Sequence, residues 1–388
     1  MMTPWPVYSN EEITAVSKVL KSGKVNYLFG DNGRAFEAEF SNFVGTKFSL
    51  ALANGTLALD IALRSINIKQ GDEVIVTPRS YIASASCVSL LGANPVFADV
   101  DYNSHNITAD TISSCITNKT KAIICVHLGG MPCEMSEIMK LAHKHNLIVI
   151  EDCAQAHGAL YKGKSVGSIG HIGTWSFCND KIMTLGGEGG MITTNIQKYF
   201  NFATSFNNHG KNFKKISSQH TDNRIPKFQY IHDSIGSNYR MTEMQSAIGR
   251  IQLKKMKKWS QARSDNANAI YKSIAHLPCI KIPTIPKYMS HAFYKCYVML
   301  DKSFLKSGWT RDKIIFEINN KGVNCFSGSC PEIYLEKSYK NHNIQGRLPV
   351  SKKLGEDSLM FAVHPSLSQK EIAKTKTVIK KVLETASK

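Results

Sequence analysis

Three short stretches carry residues whose types and spacing could do chemistry. The first, Ala53-Asn54-Gly55-Thr56, runs from an apolar segment straight into Leu57-Ala58-Leu59. Gly55 permits close backbone approach, and Thr56 with the free amides of a helix N-terminus can hold a phosphate. The same residues also make an ordinary helix cap. The second is Leu147-Ile148-Val149-Ile150 leading into Glu151-Asp152-Cys153-Ala154-Gln155-Ala156-His157-Gly158. A carboxylate at the end of a buried strand is costly unless a cation or hydrogen-bond donors compensate it. Asp152 therefore reads either as the partner of a permanent cation, such as a protonated pyridine nitrogen, or as a cap for the next segment. The third is Trp175-Ser176-Phe177-Cys178-Asn179-Asp180-Lys181 ahead of Gly186-Gly187-Glu188-Gly189-Gly190. A lysine in a desolvated pocket loses its proton more readily and becomes a nucleophilic amine. Taken alone, Lys181 is equally a loop lysine at the surface.

The combination narrows these readings. A phosphate cradle, an aspartate at a later strand end and a lysine in a glycine-rich turn form the set that pyridoxal 5′-phosphate (PLP) needs. The lysine makes the Schiff base, the carboxylate pairs with the pyridinium, and amides and hydroxyls, including that of Ser176, anchor the phosphate. Tyr81, four residues past a predicted strand over 73–77, either stacks on the ring or packs in the core. Metal chemistry finds no such pattern. The ten cysteines are scattered from Cys87 to Cys330, with no CxxC pair and no Cys/His cluster at zinc spacing. They are expected to be reduced, buried thiols.

The elements that position these stretches follow from hydrophobic periodicity. Ser9-Asn10-Glu11-Glu12 is a capping box, Ile13, Val16 and Leu20 keep helical spacing, and Gly23 supplies a stop. Strands are predicted over 48–53, 73–77, 95–100, 121–127 and 147–151, with helices over 56–66, 80–91, 108–115 and 134–145. This alternation predicts an α/β fold with a mainly parallel sheet covered on both faces. Ligands bind beyond the strand C-termini of such sheets, where the chemical stretches lie. Past Gly190 the rhythm is expected to break, and the polar residues 207–238 read as a functional or interface-crossing loop. A helix over 241–276 then links to a smaller α/β domain with a strand over 295–300 and helices over 310–321 and 369–386. The predicted organisation is an N-terminal helix segment (1–23), a large domain (24–245), and a linker helix with a small C-terminal domain (246–388). A length of 388 residues agrees with more than one core.

Charge is unevenly spread. The chain has 48 Lys plus Arg against 30 Asp plus Glu, a formal +18. Residues 1–200 hold 16 basic and 17 acidic side chains, and residues 201–388 hold 32 and 13. The basic half is either a surface that attracts anionic ligands or nucleic acid, or a set of solvated helix faces. An apolar content of 43% excludes a disordered chain. No segment approaches the ~20 apolar residues of a membrane span. The start, Met1-Met2-Thr3-Pro4-Trp5-Pro6, is not a secretory signal, so a cytoplasmic protein without membrane attachment is expected.

With these residues in order, the sequence resembles the DegT/DnrJ/EryC1/StrS family of sugar aminotransferases, which have the aspartate-aminotransferase (type I) PLP fold. The resemblance rests on Phe36-Glu37 through Gly45, on Asn54-Gly55-Thr56, and on Gly71-Asp72-Glu73-Val74. It continues through Glu151 to Gly158, Ser176-Phe177 with Lys181, and Gly187-Glu188-Gly189-Gly190-Met191. In the second half it includes Asn208-His209-Gly210, Gly236-Ser237-Asn238-Tyr239-Arg240-Met241 and His364-Pro365-Ser366-Leu367.

The resemblance implies that Lys181 carries the PLP aldimine and shuttles the proton, while Asp152 holds the pyridinium. It places Gln155 near the PLP hydroxyl, Tyr81 on the ring, and Gly55, Thr56 and Ser176 at the phosphate. Asn238 would be a phosphate contact donated by the partner subunit of a homodimer, and His209 and Arg240 would bind substrate anions. The implied reaction moves an amino group from L-glutamate to a keto-sugar, usually a nucleotide-linked keto-deoxysugar destined for a surface polysaccharide or lipopolysaccharide. The stretch Cys330–Leu335 leaves open a free eight-carbon keto-sugar acid as acceptor. Relatives with histidine in place of the lysine are PLP-dependent sugar dehydratases; Lys181 favours transamination. A basic nucleic-acid-binding protein would leave Asp152 and Lys181 unused, and nucleic acid is not an expected partner. Asp180, beside Lys181, departs from the family's usual residues.

Overall fold

In the computed structural model, which describes residues 2–218, 230–339 and 346–388, seven strands form the larger sheet. They are β1 (Phe48–Leu52), β2 (Glu73–Val76), β3 (Asn94–Phe97), β4 (Thr120–Val126), β5 (Ile148–Asp152), β6 (Ile172–Ser176) and β7 (Gly190–Thr194). Their order is β1-β7-β6-β5-β4-β2-β3, parallel except that β7 runs against both β1 and β6. The five predicted strands are β1 to β5, each within a few residues of its predicted bounds. Strands β6 and β7 are buried along their whole length, as a sheet covered on both faces requires.

The helix Asn10–Ser22 has its predicted capping box and ends at Gly23, whose φ of 70° suits glycine. The predicted helix over 80–91 shrinks to Ala83–Ser89, leaving Tyr81 outside it and 69% exposed. Two segments differ from expectation. Asn32–Val44 is a helix that the sequence pattern did not announce. The strand–helix rhythm also continues past Gly190, through β7 and the helix Gln197–Phe206. Within 207–238, expected to be loop, Phe213–Ser218 is a short helix, and residues 219–229 lie outside the described residues.

The long helix Glu243–Ile274 opens with a capping box from Thr242 and Gln245. Its Ile248 and Met256 join the core under the large sheet, while Ala267, Ile270 and Ile274 join a second core. That second core is built on a four-stranded antiparallel sheet that includes Cys296–Leu300 and Ser358–Phe361. The helices Arg311–Asn320 and Gln369–Ala386 contribute Ile314, Ile318, Ile379 and Leu383 to it. All ten cysteines are free. Among the described residues, no helix is long and apolar enough to cross a membrane.

Candidate active site

Strand register brings the chemical stretches to one edge of the sheet. Leu52 and Ser176 each pair with Gly190, and Asp152 pairs with Val126 and Thr174. A cavity of about 1100 Å³ opens beyond these strand ends. Seven of the ten predicted site residues line it: Gly55, Thr56, Tyr81, Asp152, Gln155, Ser176 and Lys181.

At one wall, Asn54 caps the helix Gly55–Ser65 by accepting from the Leu57 amide at 3.0 Å. The amides of Gly55 and Thr56 are then the first two of the helix and have no partner within it. A Cβ on Gly55 would stand 2.5 Å from the Ser176 Cβ, and one on Gly190 would stand 2.1 Å from the Asn54 carbonyl oxygen. Glycine at both positions lets the helix start, the Ser176 side chain and the β7 backbone approach this closely, and free helix amides beside a hydroxyl are groups able to bind a phosphate.

Asp152 is buried at the cavity floor. Its Oδ2 accepts from Ser84 Oγ at 2.9 Å and its Oδ1 from the Ala154 amide at 3.1 Å. Burial pushes its pKa above the ordinary carboxylate value, against the bonds from Ala154 and Ser84 and the charge of Lys181. Both hydrogen-bond donors are neutral, so a cation placed in the cavity would complete the compensation. A protonated pyridine nitrogen is such a cation, and the donor set fits PLP. Gln155 accepts the Gly129 amide through Oε1 at 2.8 Å, which leaves its NH2 group as the donor on a cavity-lining residue. Tyr81 is exposed on the cavity wall rather than packed in a core.

Lys181 Nζ stands 5.0 Å from the ring centroid of Tyr294, and Lys295 Nζ stands 4.7 Å from it. The Tyr294 hydroxyl donates to Asp180 in a short hydrogen bond, and Lys295 lies 3.7 Å from the same carboxylate oxygen. Burial works to raise the Asp180 pKa. The charge of Lys181, the Tyr294 bond and Lys295 outweigh it and hold the group below the ordinary carboxylate value.

A model of the DegT/DnrJ/EryC1/StrS aminotransferase family matches residues 6–382. The chain belongs to that family. This aminotransferase is 34% identical over 374 residues to the UDP-N-acetyl-3-dehydro-α-D-glucosamine 3-aminotransferase of Acidithiobacillus ferrooxidans, covering 96% of this chain and 94% of the relative. It is 34% identical to the GDP-perosamine synthase of Escherichia coli O157:H7, over 90% of this chain and 88% of the relative. Among solved structures, an aminotransferase from Psychrobacter cryohalolentis superposes with a TM-score of 0.97 at 49% identity, both chains covered in full. DesV of S. venezuelae, solved with a ketimine intermediate, gives 0.85 at 27% identity, covering 97% of this chain and 95% of that one. The fold is that of the type I PLP aminotransferases.

Three predicted site residues of the aminotransferase lie outside the cavity lining. Asn238 forms a bridge with Asn208, and the His209 amide donates to the Ser237 carbonyl at 3.0 Å. Arg240 Nη1 donates to Asn208 Oδ1 at 3.2 Å and to the Asn207 carbonyl at 3.4 Å. These residues tie 207–210 to 236–240, and the Ala53 amide, donating to Tyr239, docks that unit beside the cradle. Sequence reasoning missed Ser84, Tyr294 and Lys295 as wall residues. His127, Glu151 and Cys153 come within metal-ligand distance of one another, yet their polar atoms are engaged. His127 Nε2 bonds Glu151 at 3.0 Å, its Nδ1 accepts the Cys133 amide, and the other Glu151 oxygen accepts the amides of Ile169 and Gly170.

Proposed function

We propose that this enzyme transfers the amino group of L-glutamate to a nucleotide-linked keto-deoxysugar, a step toward a surface polysaccharide or lipopolysaccharide. The observation that supports the reading is that Lys181 and the buried Asp152 carboxylate line one cavity with the helix start at Gly55 and Thr56 and with Ser176. The names of the relatives that act on UDP- and GDP-linked sugars support the acceptor class. When bound, PLP supplies an aldehyde that can carry the amino group and a ring that accepts electrons from the amine-bearing carbon.

The protein's own groups then divide the work. Lys181 Nζ would hold the cofactor's aldehyde carbon and, as a free amine, would take and return the proton at the amine-bearing carbon. Asp152 would keep a proton on the pyridine nitrogen. The Gly55 and Thr56 amides and the Ser176 hydroxyl would hold the phosphate, Tyr81 the ring, and the Gln155 NH2 the ring hydroxyl. Asn238 of a second copy would reach the phosphate, in a homodimer with shared sites. His209 and Arg240 would meet substrate anions there. We place the enzyme in the cytoplasm, where nucleotide sugars are made.

The test is optical. Purified enzyme loaded with PLP should show a visible band that glutamate bleaches and the correct keto-sugar restores. Borohydride should fix the cofactor to Lys181, and Lys181→Ala should abolish both effects. A borohydride adduct on any other lysine would overturn the assignment.

A further inference from the structure

The loop that bears Lys181 is held from behind by a segment far away in sequence. Trp5 Nε1 donates to the backbone carbonyl of Lys181 at 2.7 Å. At the other end of the same loop, the Tyr8 hydroxyl accepts the Gly186 amide at 3.1 Å and lies 3.3 Å from Thr184 Oγ1. The residues 5–8 therefore grip this loop at Lys181 itself and again at its glycine turn.

The grip is itself anchored. The Trp5 ring meets Trp259 of the long helix edge-on at 5.1 Å and stacks on His364 at 5.9 Å. The Arg263 guanidinium lies 5.2 Å over the Trp5 ring and donates from Nη1 to the carbonyls of Phe293 and Tyr294 at 3.4 Å each. Arg263 is fully buried, and its Nε and Nη2 have no hydrogen-bond partner. The Trp5 face is one partner for this cation, beside the Tyr294 and Asp180 groups that also act on it. Ser366 Oγ donates to the Pro4 carbonyl at 3.0 Å, and the Thr3 amide donates to Glu371. Trp5 and Arg263 thus link the backbone carbonyl of Lys181 to that of Tyr294, whose ring lies 5.0 Å from Lys181 Nζ.

We infer that Trp5 is a positioning residue for Lys181: its indole N–H sets the lysine backbone so that Nζ meets the cofactor in bonding geometry. Tyr8 does the same at the far end of the loop. Neither residue lines the cavity. Covalent attachment must re-form in every catalytic cycle, and a misplacement near 1 Å can cost on the order of 10²-fold in such a step. The inference rests on Lys181 being the lysine that bonds PLP, which borohydride trapping and peptide mapping of the wild-type enzyme check separately.

The test compares Trp5→Phe with wild type. Phenylalanine keeps an aromatic ring toward Trp259, His364 and Arg263 and removes the N–H donor together with the pyrrole half of the indole. Two ligands separate positioning from packing. PLP bonds the lysine, whereas pyridoxamine phosphate occupies the same cradle without a covalent bond. The variant should form the visible band about 10-fold more slowly when PLP is added to apoenzyme, and kcat should fall by a similar factor. Affinity for pyridoxamine phosphate and KM for glutamate should stay within about twofold. Tyr8→Phe, which removes the acceptor of Gly186, should show the same split more weakly, and serves if Trp5→Phe fails to fold. Equal loss for both ligands would make the segment general packing and overturn the inference. Unchanged band formation in a folded variant would overturn it as well.

Discussion

Ser84 Oγ donates to Asp152 Oδ2 at 2.9 Å, and Ser80 Oγ stands 3.1 Å behind it. A donor to the ionised carboxylate favours that form, so this contact opposes the burial that raises the Asp152 pKa. In Ser84→Ala the carboxylate should protonate at higher pH than in the wild type. The acid limb of kcat/KM against pH should move upward while activity on the alkaline side changes little. An unmoved acid limb would show that Ser84 does not tune Asp152.

Asp152→Asn keeps the side-chain shape and removes its charge. The pyridine nitrogen then loses its anionic partner, and kcat should drop by roughly 10²–10³-fold, the scale of a lost electrostatic stabiliser in a water-poor site. Single-turnover bleaching of the visible band by glutamate measures this step without the acceptor sugar.

Gly55→Ala tests the cradle. The new Cβ meets the Ser176 Cβ at 2.5 Å, so the helix start and β6 must separate. The PLP dissociation constant should rise about tenfold, equivalent to about 1.4 kcal/mol, as read by titration of apoenzyme. The neighbouring Thr56→Val removes a hydroxyl without a clash and should have a smaller effect.

Beneath the site, the buried His127–Glu151 pair joins β4 to β5 one residue before Asp152. Burial pushes the Glu151 pKa up. The bond and charge of His127 and the loop amides outweigh it and leave the group below the ordinary value. Glu151 thus adds stability that is present above the unfolded carboxylate range and is lost as pH falls through its lowered native value. His127→Ala takes the partner from Glu151 Oε2 while Oε1 keeps the amides of Ile169 and Gly170, and should cost about 1–3 kcal/mol in urea unfolding near neutral pH.

Much of the large sheet was legible in the sequence, because β2, β4 and β5 are short apolar runs set apart from one another by helical segments. The helix Asn32–Val44 was not, and the reason is physical. Asp31, its N-cap, makes no side-chain cap bond, and the carboxylate of Glu243 instead accepts the amides of Asn32 and Gly33 at 2.7 and 2.8 Å. A cap supplied from 210 residues away leaves no local signal. Strand β7 was missed because it runs antiparallel directly out of the glycine turn, without a crossover helix of the kind that separates β1 to β5 from one another. The same limit governs the site. Asp152, Lys181 and the cradle announce themselves at strand ends, whereas Tyr294 and Lys295 gain meaning only when the fold brings them to Asp180 across a separation of 114 residues.

Isotope-labelled glutamate tests the central claim most directly. The enzyme is loaded with PLP and given amine-labelled L-glutamate with a panel of UDP-, GDP- and dTDP-linked 3-keto and 4-keto sugars, and products are read by mass spectrometry. Amino transfer predicts that one nucleotide sugar exchanges its carbonyl oxygen for labelled nitrogen, in wild type and not in Lys181→Ala. Label that appears in none of the sugars, while glutamate is still converted to its keto acid, would contradict a nucleotide-linked acceptor.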